Sequence, residues 1–159
     1  MTTTYLDMMI KSLDEKIEIL TQITEENARQ KDVLQTEAEV DVDAFKKTVD
    51  TKAELIDRIN VLNDGFDSLY DHVKEDLEKD KAMYATEIGR MQEQIRIITE
   101  LSSSIKAEEI RNKALAEKYF RNKRESLRQT QKGNDVAYNY YETMSKSKVI
   151  MPQFIDKKN

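Results

Sequence analysis

Cysteine is absent, histidine and proline each occur once, and glycine occurs three times in 159 residues. Without cysteine there is no disulfide framework and no thiolate metal site, and nothing signals secretion. Three glycines and one proline leave too little turn material for strands and hairpins, so the chain reads as all-helical. The start, Met1 to Ile10, lacks a basic segment followed by a long apolar run, and no apolar run approaches the ~18 residues of a membrane span. A cytoplasmic protein with no membrane insertion is expected. The one histidine, His72, is preceded three positions earlier by Leu69, whereas helical-bundle metal sites use Glu-x-x-His pairs on two helices. It reads as a solvated surface residue. No phosphate-cradling glycine loop, nucleophile elbow or zinc motif is present, so neither an enzyme nor a metal or cofactor site is expected.

What the chain does have is charge and spacing. Charged residues make up 36% and hydrophobic residues 38%, the profile of long amphipathic helices and coiled coils. Leu6, Ile10, Leu13, Ile17 and Leu20, widened by Met9 and Ile23, form a stripe on a first helix running from about Thr4 to Glu37. The same stripe then meets Thr24, Asn27 and Lys31 before Leu34, so packing is expected to weaken toward that end. The acidic, β-branched stretch Glu39-Val40-Asp41-Val42-Asp43 interrupts the pattern and offers Asp41 or Asp43 as the next N-cap. A second helix carries Phe45, Val49, Ile56 and Ile59 and is expected to end at Asn63-Asp64-Gly65, where glycine can close a helix in the left-handed conformation.

From Phe66 to about Lys132 there is no proline, and apolar residues recur at three- and four-residue steps through Tyr70, Val73, Leu77, Tyr84, Ile88, Met91, Ile95 and Ile98 to Ile105, Leu115 and Tyr119. This spacing predicts a third helix of roughly 65 residues, ~100 Å long. It crosses Gly89 and Ser102-Ser103-Ser104 in phase, so the helix is expected to continue through both. The half beyond Ile105 has Glu109, Asn112 and Lys123 along its seam and is expected to project past the shorter helices. Lys132-Gly133-Asn134 ends the run. The fold expected is all-α: an antiparallel helical bundle or coiled coil of three long helices over residues 1–132, with a short C-terminal helix and a flexible tail over 133–159. Short connections make neighbouring helices antiparallel.

Charge is unevenly placed. Residues 1–110 hold 14 Lys and Arg against 26 Asp and Glu, a balance of −12, whereas residues 111–132 hold 8 against 2, a balance of +6. Arg121, Arg124 and Arg128 share one face beside Tyr119 and Phe120, which suits RNA contacts. It equally suits the helix C-terminus and pairing with the acidic first two helices, and no nucleic-acid partner is expected. Beyond Gly133, Tyr138, Tyr140 and Tyr141 crowd beside Met144, and the tail holds Val149, Ile150, Met151, Phe154 and Ile155 among lysines. Tyrosine and methionine suit binding surfaces as well as ordinary packing of a terminal helix. With Tyr119, these residues form the expected partner-binding set. The tail, mobile when free, is sticky enough to order on a partner or to dock on the body.

Several stretches, in this order and spacing, resemble the clostridial form of the FlgN family of flagellar type III export chaperones. They are Tyr5-Leu6-Asp7-Met8-Met9-Ile10, Ile59-Asn60-Val61-Leu62-Asn63-Asp64-Gly65-Phe66 with Leu69-Tyr70, Ile110-Arg111-Asn112-Lys113, the tyrosine cluster, and Pro152-Gln153-Phe154-Ile155-Asp156-Lys157-Lys158. The resemblance implies a cytoplasmic helical protein that binds the C-terminal helical regions of hook-associated (hook–filament junction) proteins, prevents their premature assembly and delivers them to the export gate. It implies that the C-terminal part binds the substrate and that a tyrosine, here Tyr140 or Tyr141, contacts the flagellar export gate protein. Such a chaperone is expected to be a monomer or weak dimer. The alternative is a structural coiled-coil scaffold whose long helix self-associates.

Overall fold

The structure, a computed structural model, describes residues 1–123. Three long helices fill nearly all of them: α1 (Thr2–Leu34), α2 (Val42–Lys79) and α3 (Ala85–Asn122), with a single 3-10 turn (Ala82–Tyr84) between the last two. At 1.5 Å per residue each rod is roughly 50–57 Å long. The expected third helix of some 65 residues from Phe66 does not exist as one rod. The short C-terminal helix and the tail lie outside the described residues.

Helix α1 begins at Thr2 rather than near Thr4 and has no side-chain cap. Thr2 Oγ1 instead donates to an Asp76 carboxylate oxygen on α2. The stripe read from the sequence is the buried face, with Leu6, Met9, Leu13, Leu20 and Ile23 all but inaccessible to solvent. After Leu34 the backbone turns away, and Gln35 N–H closes the last turn on the Lys31 carbonyl at 2.8 Å. Asp41 then caps α2 as expected, its Oδ1 accepting from Ala44 N–H at 3.1 Å, with Asp43 in the first turn where the helix dipole favours an anion.

The expected end of α2 at Asn63-Asp64-Gly65 is wrong. The helix runs through all three residues, and Gly65 lies exposed on its outer face. The buried register Ile59, Asn63, Phe66, Val73, Leu77 continues without a phase change. Packing of Phe66 and Val73 outweighs the ~1 kcal/mol by which glycine disfavours helix relative to alanine. The real turn falls at residues 80–84, where Asp80 leaves helical geometry and its Oδ1 accepts from Met83 N–H at 3.2 Å. From Leu77 to Tyr84 neither intervening seam position is filled by a large apolar side chain, so no burial opposes the turn. Gly89 and Ser102-Ser103-Ser104 lie within a continuous α3, as expected.

Cross-helix contacts fix the topology. Thr2 meets Asp76, Lys16 meets Asn63 and Gln30 meets Thr48, so α1 and α2 are antiparallel. Gln94 meets Ile10, and Glu108 meets Asn27, so α3 returns parallel to α1. The result is an up-down-up bundle in which α1 packs along both partners. Because the turn lies at residue 80, α3 equals α2 in length. The half of α3 from Ile105 onward therefore does not project past the other helices: Ile105 and Asn112 are fully buried against them.

Candidate partner-binding end

The end of the bundle near the α1–α2 connection is built unlike the rest. One layer below it, the core is polar. Asn27 and Gln30 on α1, Thr48 and Lys52 on α2, and Glu109 and Asn112 on α3 are all buried. Lys52 Nζ donates to Asn27 Oδ1 at 2.8 Å, Gln30 Oε1 at 2.8 Å and Glu109 Oε1 at 2.7 Å. An ammonium has three protons, and here three acceptors, two from α1 and one from α3, receive them. Asn112 Nδ2 donates to the Asn27 carbonyl at 3.0 Å and to Gln30 Oε1 at 3.1 Å, while Gln30 Nε2 donates to Thr48 Oγ1 at 3.0 Å. Burial pushes the Lys52 pKa down, and the Glu109 carboxylate opposes that shift. With its protons engaged on α1 and α3, this α2 lysine ties the three helices together. It is no poised nucleophile.

Above this layer sits a small apolar cap in which Phe45 and Phe120 meet edge to face, ring centroids 5.9 Å apart. Phe120 also meets Tyr119 edge to face at 5.3 Å. Beside the cap, residues 35–40 of the connection and the last turns of α3 enclose an open cleft of about 520 Å³, within the ~300–1,000 Å³ range typical of ligand pockets. Leu34, Val40, Leu115 and Tyr119 give it apolar walls. The connection side is acidic, carrying Glu37, Glu39, Asp41 and Asp43 and no base over residues 35–43. Lys118 and Lys123 stand on the α3 side, Lys123 Nζ 3.9 Å from Glu39 Oε1. Partial burial, with Glu39 nearby, raises the Tyr119 pKa, so its hydroxyl stays a neutral donor.

Of the residues expected to bind partners, the structure places Tyr119 in this cleft. Tyr138, Tyr140, Tyr141, Met144, Val149, Ile150, Met151, Phe154 and Ile155 lie outside the described residues. Leu34, Val40 and Leu115 were missed as cleft residues. A sequence signal existed for two of them: each is an apolar residue flanking the acidic connection, where a stripe runs out of partners. Of the basic segment's ion pairs among the described residues, Lys123 meets Glu39 in the connection between α1 and α2 rather than a residue of either helix.

The opposite end lies at the turn of residues 80–84. Tyr5 stacks on His72 with centroids 4.9 Å apart, and His72 Nδ1 lies 2.8 Å from the Ser68 carbonyl oxygen. His72 is exposed, as expected. Among the described residues no group of His, Cys, Asp or Glu is arranged to hold a metal ion, and no helix is long and apolar enough to cross a membrane. No family model, curated protein or solved structure matches this chain.

Proposed function

We propose that this protein is a cytoplasmic export chaperone that binds the C-terminal helical regions of hook-associated proteins, keeps them from assembling early and hands them to the flagellar export gate. The observation that carries the reading is the cleft at the α1–α2 connection. It is an apolar depression with Tyr119 on its wall, and Lys123 at its rim precedes in sequence the segment holding Tyr138, Tyr140, Tyr141 and Met144. An amphipathic client helix is bound by covering its apolar face, and a cleft continued by a tyrosine- and methionine-bearing segment offers such cover. The sequence resemblance supports the same reading.

The second half of a long third helix, expected from the spacing to project past the shorter helices, supplies no such surface along its whole length. Ile105, Glu109 and Asn112 of that stripe are buried inside the bundle, and only Leu115 and Tyr119 reach the cleft. The burial of Ile105 and Asn112 counts against a scaffold that self-associates through that part of the stripe. A pull-down from cells assembling flagella is expected to recover hook-associated proteins, and removal of residues 133–159 is expected to abolish recovery. Recovery unchanged by that deletion would refute the assignment of the client site.

A further inference from the structure

The cleft and the end of the chain fit each other. Lys123 stands on the cleft rim, and 36 residues, 124–159, follow it. Within them Val149, Ile150, Met151, Phe154 and Ile155 form an apolar segment flanked by Lys146 and Lys148 on one side and Lys157 and Lys158 on the other. The apolar walls of the cleft and its acidic connection complement that pattern of greasy centre and cationic flanks. We propose that residues 149–155 of the same chain occupy the cleft in the free protein. The occupant is intramolecular because the geometry favours it: 25 residues, 124–148, separate the rim from Val149. A flexible chain of that length has a root-mean-square span of roughly 25–30 Å. Such a tether would hold the segment at an effective concentration on the order of millimolar. The docked tail covers Leu115 and Val40; a client that takes the cleft displaces residues 149–155 only, and the tyrosine-bearing residues 138–144 remain to hold it, so deleting 133–159 removes more than the competitor. This inference needs no client and stands apart from the export reading.

The chain contains no tryptophan, so Phe154→Trp in the full chain makes a single fluorescent reporter. The expected result is blue-shifted emission with acrylamide quenching several-fold slower than in a peptide of residues 145–159 carrying the same substitution. Adding Leu115→Arg on the cleft wall, or Ala38→Arg on the exposed connection, is expected to return quenching to the peptide value. Circular dichroism confirms that the bundle stays folded, and the Ala38 variant does not depend on a packed position. Quenching equal to the peptide in the unmodified cleft overturns the proposal. So does protection that survives both cleft substitutions, which places the segment elsewhere, or protection that appears only as protein concentration rises, which makes the occupant a second copy.

Discussion

Two lysines are buried in this bundle, and their surroundings differ. Lys52, in the upper layer, meets three acceptors drawn from α1 and α3, one of them the Glu109 carboxylate. Lys16, in the lower half, has one hydrogen-bond acceptor among the described residues, Asn63 Oδ1 at 2.8 Å, with the Asp67 charge further off. Burial pushes Lys16 down to about 8. The difference separates two roles for a buried charge. A cation whose protons are all taken by acceptors on the two neighbouring helices fixes which residues face each other, because slipping either helix strands the charge. A cation with one neutral acceptor carries mainly a desolvation cost.

The sharpest way to break this comparison is to remove one partner from the upper layer. Glu109→Leu leaves the Lys52 cation buried without its counter-charge and is expected to cost about 3–5 kcal/mol in urea unfolding. Replacing both partners, Lys52→Met with Glu109→Leu, is expected to cost clearly less than the separate losses added together. Equal additivity would show that the two groups do not act as a unit.

Lys16→Met, by contrast, is expected to stabilise the bundle by about 1–3 kcal/mol at pH 7, read from the same denaturant curves. The effect has a pH signature. The folded pKa of Lys16 is lowered from 10.5 to about 8, so between those values the unfolded chain binds more protons. Stability contributed at this site therefore rises with pH across that window. The rise is on the order of 3 kcal/mol at most, and the full penalty stands below pH 8. Subtracting the Lys16→Met profile isolates it from the other groups that titrate there, and identical profiles would place the lysine in water.

The smallest effects test the corrected ends of the helices. Neither Gly65 nor Gly89 has any atom within 4 Å of where a Cβ would stand, and neither has positive φ. Gly65→Ala and Gly89→Ala are each expected to raise stability by about 0.5–1 kcal/mol in thermal melts. A loss at Gly65 would revive the helix end first read there.

Much of the architecture was legible in the sequence. The α1 stripe, the Asp41 cap and the unbroken passage through Ser102-Ser103-Ser104 follow from local spacing and side-chain chemistry. The turn at residues 80–84 was not read, because it carries no glycine or proline. Its mark is a missing apolar seam residue between Leu77 and Tyr84, where the step falls on Asp80 or Lys81, whereas Gly65 offered a stronger but false signal that packing overrides. The polar layer was half legible. Asn27, Glu109 and Asn112 stood out as seam residues of the wrong character and were read as weak packing. Their meaning depends on Lys52, which lies 25 residues from Asn27 and 57 from Glu109 along the chain. No spacing within one helix could assemble that set. For the cleft, the acidic connection and the tyrosine were visible, but their enclosure by the last turns of α3 depends on where the turn at residue 80 sets the register.

The central claim, that the end bearing the cleft and the C-terminal segment receives an amphipathic client helix, is tested most directly by calorimetric titration with a peptide from the C-terminal helical region of a hook-associated protein. The account predicts binding by the full chain, at least a tenfold loss when residues 133–159 are removed, and affinity unchanged by Met83→Ser at the opposite end. Affinity that survives the deletion, or falls with the Met83 substitution, would contradict it.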